Sequence, residues 1–169
     1  MTLTSILPSM RRLIPDPIVA RHWPANTVAG LDDVVIAAVS LRRLAEVCGT
    51  PCVHTAAAVQ PGTGGRASHE ETVSVVVARV TRVDDRSGDR LVQLDADLAN
   101  VEALPVDARL IARISTVRST PALLGSPERP SLLPADLAVG DLLAILCRDA
   151  ASLHDVRPND GEPYGRCGR

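Results

Sequence analysis

Apolar residues in this chain fall in short blocks that either run together or alternate with polar ones, and few blocks are long enough for an extended helix. Asp33-Val-Val-Ile-Ala-Ala-Val39 is a continuous β-branched run, which predicts a buried strand. Ser40 follows as an N-cap, Leu41, Leu44, Ala45 and Cys48 recur at helical spacing, and Gly49 stops the segment as a C′ residue does. Pro51 to Val59 reads as a second strand, so strand, short helix and strand precede residue 60. Gln60-Pro-Gly-Thr-Gly-Gly-Arg-Ala-Ser68 has no periodicity and several turn formers, which makes it an exposed loop or linker.

Beyond the loop the pattern becomes β throughout. Glu71 to Val83 places Val73, Val75 and Val77 on one face and Val76, Ala78 and Val80 on the other. Asp84 to Asp89 carries the residues of a hairpin turn. Arg90 to Leu98 returns with Val92, Leu94, Ala96 and Leu98 on one side and Gln93, Asp95 and Asp97 on the other. Ala108 to Val117 alternates again, and Gly140 to Cys147 is the last clear strand. Six or seven short strands with one short helix predict a mainly β fold, a small closed or nearly closed β-barrel. Closure would also protect the valine-rich strands from edge pairing. The expected organisation is an irregular or partly helical lead-in over 1–30, a barrel domain over 31–154 with its linker at 60–70, and a loose polar tail over 155–169.

Composition narrows the chemistry. The chain has 169 residues, 46% of them apolar, enough for one domain with a core. Its 18 basic and 20 acidic side chains leave a formal charge of −2, without the basic surplus that nucleic-acid binding by counterion release needs. Every basic residue is arginine, so lysine Schiff-base chemistry, a lysine general base and a phosphate-loop lysine are excluded. There is no Phe, and Trp23 and Tyr164 stand alone, which excludes aromatic platforms for stacked bases. The first 24 residues are broken by Pro8, Pro15, Pro17 and Pro24 and lack a continuous apolar h-region. With no membrane span either, the expectation is a cytoplasmic protein with reduced thiols.

Two segments, Val39 to His54 and Leu123 to Ile145, resemble the β-domain of the fold-type III pyridoxal-phosphate decarboxylases, the diaminopimelate and ornithine decarboxylase group. Val39-Ser-Leu-Arg-Arg-Leu-Ala-Glu-Val-Cys-Gly-Thr-Pro-Cys-Val-His54 is similar to the strand, "LA…GTP" and strand that lead those enzymes into their TIM barrel. Leu123-Leu-Gly-Ser-Pro-Glu and Leu133-Pro-Ala-Asp-Leu-Ala-Val-Gly-Asp-Leu-Leu-Ala-Ile145 resemble the stretch near the family's C-terminus. Val75 to Asp97 looks like its first strands after the barrel, with Asp95 near the family's "vDaG" aspartate. The likeness spans residues 30–155 as two halves joined at the 60–68 loop, where roughly 200 residues of TIM barrel would sit. It implies a stand-alone β-domain. The coenzyme lysine and phosphate loops of the family belong to the missing barrel, and Gly125 to Ser131 carries no Cys where the family donates one. The resemblance therefore implies a repurposed domain that works without pyridoxal phosphate.

Candidate chemistry is sparse. Cys48, Cys52 and His54 form a C-x3-C-x-H pattern, but a structural zinc site needs a fourth ligand, and the reading is buried small side chains with no metal. Gln93 and Asp95 belong to a polar stripe that is either a hydrogen-bonding patch inside the barrel or an ordinary solvated face. Arg109 and Arg113 share a face and, if buried together, would hold a carboxylate or enolate; exposed, they would cover apolar surface with their stems. The four histidines form no spaced pair, and no G-x-S-x-G elbow surrounds a serine. The leading expectation is a cofactor-independent cyclase or isomerase of natural-product biosynthesis that binds a small apolar substrate, with Gln93, Asp95, Arg109 and Arg113 as polar orienters. The alternative is a non-catalytic regulatory or capping subunit that pairs with itself or with a decarboxylase-like partner. Both are compatible with a homodimer, and neither calls for nucleic acid, a membrane or a cofactor.

Overall fold

The computed structural model describes residues 7–86, 89–125 and 128–158. It begins with a 3-10 turn, Pro8–Arg12, and an extended lead-in. Three short strands follow, β1 (Thr27–Ala29), β2 (Val34–Ile36) and β3 (Val39–Ser40), paired antiparallel in that order. The apolar run expected as one strand is thus split. Ala37 and Ala38 take positive φ, 47° and 68°, and turn the chain back on itself as a two-residue hairpin. Alanine carries a Cβ penalty there that glycine or asparagine would not, so no turn residue announces the break.

Helix α1 (Leu41–Cys48) has the expected ends: Ser40 Oγ accepts from the Arg43 backbone N–H, and Gly49 closes the helix at φ 76°. Leu41 and Ala45 bury its inner face. The chain then enters β4 (Cys52–Val59), loops through 60–66, and runs into β5 (Ala67–Arg86), a 20-residue strand. Next come β6 (Asp89–Leu94), β7 (Ala103–Ile111), β8 (Ser119–Leu124), β9 (Arg129–Pro134), β10 (Leu142–Cys147) and a single helical turn, α2 (Leu153–Val156).

Strand β5 organises the rest. Its first part pairs with β4, its middle with β10 and its end with β6. The barrel path is β7-β10-β5-β6-β8-β9, antiparallel except for the parallel step from β6 to β8. The result is a nearly closed six-stranded barrel in a mainly β molecule, as the pattern predicts. Its ends, β7 and β9, lie side by side, yet among the described residues no ladder pair joins them. Pro130 and Pro134 in β9 have no N–H to give. Side chains bridge the seam: Ser131 Oγ donates to the Pro105 carbonyl at 2.6 Å, and Arg129 Nη1 donates to that of Ala103 at 2.8 Å.

The molecule has two cores on opposite faces of β5 and β10. Val76, Ala78, Val80, Val92, Leu98, Leu124, Leu133, Leu143 and Ile145 fill the barrel interior, all but completely shielded from water. Val75, Val77, Ala144 and Leu146 point the other way, into a second core with Trp23, Val34, Ile36, Leu41 and Ile111. This explains why β10 is buried at all six positions. Trp23 is a core residue here, 2% exposed.

Strand boundaries shift where side chains cannot show them. The alternating segment expected over Ala108–Val117 begins five residues earlier, at Ala103, and stops at Ile111. Ala112 ends it at φ 69°, donating its N–H to the Asp32 carbonyl. Within β7 a bulge intervenes, because β7 takes five steps from Leu104 to Arg109 while β10 takes two from Leu146 to Ala144. The turn expected at 84–89 is narrower, since strand pairing continues to Arg86 opposite Asp89, and residues 87–88 lie outside the described part. After β8 the chain turns at Gly125, φ 76°, where a Cβ would meet Leu98 Cδ1 at 3.0 Å. Most of the expected tail, from 159 onward, also lies outside the described residues.

Candidate functional site

The side chains proposed from the sequence fall into two groups. Gln93 and Asp95 lie along and just after β6, on the outer side of a barrel wall whose inner side is Val92, Ala96 and Leu98. Gln93 is exposed. Asp95 is half-buried and fully engaged: it accepts from Thr50 Oγ1 and, at 2.7 Å, from the Arg79 backbone N–H. It ties the turn after α1 to the barrel wall. Asp97 likewise accepts from the Ala99 N–H at 2.9 Å.

Arg109 and Arg113 do come together, at a recess of about 180 Å³ outside the barrel. Its walls are the lead-in (Pro17, Ile18, Val19, Trp23), the bulged part of β7, the crossing from Ile114 to Ser119, and Leu132 and Pro134 of β9. The recess thus opens where the seam between β7 and β9 gapes. Arg109 reaches out from β7, donating to the carbonyl of Asp16 in the lead-in and to that of Gly30 between β1 and β2. Arg113 grips the turn before β10: it bonds Asp141 through Nε and Nη2, Asp136 through Nη1, and the Asp136 carbonyl through Nη2. The hydrogen bond with Asp141 pushes the guanidinium pKa further up, against the opposing effect of burial. Both arginines therefore have structural work of their own.

Three features of this face escape the sequence pattern. His22 and Asp107, 85 positions apart in sequence, meet through Nδ1 and Oδ2 at 2.7 Å, with Arg21 Nε donating to His22 Nε2 at 3.2 Å. That arrangement leaves the ring proton on Nδ1, aimed at the carboxylate. Ser115 Oγ donates to Asp136 at 2.6 Å. Asp141, in the Gly140-Asp-Leu-Leu turn, is the main partner of Arg113. No local spacing could reveal these pairs, since each joins segments brought together only by the fold.

The cysteines divide by burial. Cys52 and Cys147 are buried, and desolvation pushes both thiols up to about 11, which suppresses the thiolate. Cys48, expected on the buried helix face, is exposed. Helix α1 is only eight residues long, and its last turn extends past the surface that Leu41 and Ala45 cover. Among the described residues no group of three or more His, Cys, Asp or Glu side chains is placed to hold a metal ion. None of the described helices is long and apolar enough to cross a membrane.

Comparison with known proteins adds a distant likeness in shape. No family model matches the sequence, and no curated protein matches it. Among solved structures, the chain is similar to the Paramecium bursaria Chlorella virus arginine decarboxylase in two crystal structures, one of them described as bound to agmatine. In both, identity is 16% and the TM-score 0.40, over 52% of this chain and 27% of that one. The chain spans about a quarter of the length of the solved chains it matches.

Proposed function

We propose that this chain is a non-catalytic β-barrel module that acts by pairing with a protein surface, its own or that of a decarboxylase-like partner. The filled barrel interior carries this reading. Val76, Val80, Leu124, Leu133, Leu143 and Ile145 occupy the space a substrate chamber would need, each fully shielded from water. The arginines proposed as orienters add support, because both already hold the lead-in or the turn before β10 in place. On this reading the chain is a counterpart of the fold-type III β-domain in the cytoplasm. The pyridoxal-phosphate chemistry of that family does not fit it, since its 169 residues include no lysine to hold the coenzyme covalently.

A second reading keeps the cofactor-independent cyclase or isomerase, relocated from the barrel interior to the outer recess. The observation favouring it is the convergence of Arg109 and Arg113 on one concave surface. At about 180 Å³ that recess would take a substrate little larger than benzene, which an engineered cavity of about 150 Å³ accommodates. Small-molecule extract of the source cells, incubated with native and with boiled protein and compared by chromatography and mass spectrometry, separates the two readings. The expected outcome is no difference. A compound that changes retention at constant mass would overturn the non-catalytic reading, and loss of that conversion in Arg109→Ala and Arg113→Ala would then assign it to the recess.

A further inference from the structure

We draw no further inference here: the strongest candidate, the recess outside the barrel at the β7–β9 seam, belongs to the site already described, and nothing in the structure shows what covers it.

Discussion

Asp136 is pulled in two directions. Burial disfavours its charged form, but hydrogen bonds from Ser115 and Arg113 outweigh it and hold the carboxyl below the ordinary 3.8. An acid that ionises more readily in the folded state stabilises the fold above its unfolded pKa, and loses that contribution as pH falls through its folded one. The expected result is that Asp136→Asn lowers the urea midpoint at pH 7, and that the gap to wild type closes as pH falls below 3.8. A gap that does not narrow as pH falls below 3.8 would mean that packing, and not charge, sets the role of Asp136. Residue chemistry was only partly legible in the sequence. Arg113 was recognisable as an arginine on a face shared with Arg109, but its partners Asp136 and Asp141 lie over 20 positions away and no periodicity links them.

At the scale of elements, strand identity was legible wherever apolar and polar positions alternate. The opposite faces read for Val75 and Val76 became two different cores. Strands β8 and β9 were not, because prolines interrupt them: Pro121 in β8, and Pro130 and Pro134 in β9. They are strands because a neighbour holds them, and the β7–β9 seam is their weakest join. Ser131 supplies one of its two side-chain bridges from a buried position. Ser131→Ala should therefore cost about 1–2 kcal/mol, since it leaves the Pro105 carbonyl without its donor. Amide exchange should quicken selectively along β9. Uniform protection along β8, β9 and β10 in the variant would show that the seam does not depend on that bond.

For the whole molecule, the two cores share β5 and β10, whose alternate side chains enter both. Neither core can dissolve without exposing the other face of the same strands, so unfolding should be a single event. Trp23, the chain's one tryptophan, reports on the second core, and far-ultraviolet circular dichroism reports chiefly on the barrel. The two urea transitions are expected to coincide. Earlier loss of the Trp23 signal would show that the lead-in and the β1–β3 sheet detach as a separate unit.

The sequence by itself determined the class of fold, the helix α1 with its serine and glycine ends, and the exclusion of lysine-based chemistry. Each follows from local rules: the two-residue period of strands, hydrogen-bonding caps, and the presence or absence of a functional group. The tertiary structure alone decided that the barrel interior is solid, that Arg109 and Arg113 share a recess while Gln93 and Asp95 stand apart on β6 and just after it, and that His22 meets Asp107. It also decided the bulge that exposes Val106. Those outcomes depend on which strands neighbour which and in what register. That is settled by the summed packing of two cores and not by any one segment's pattern.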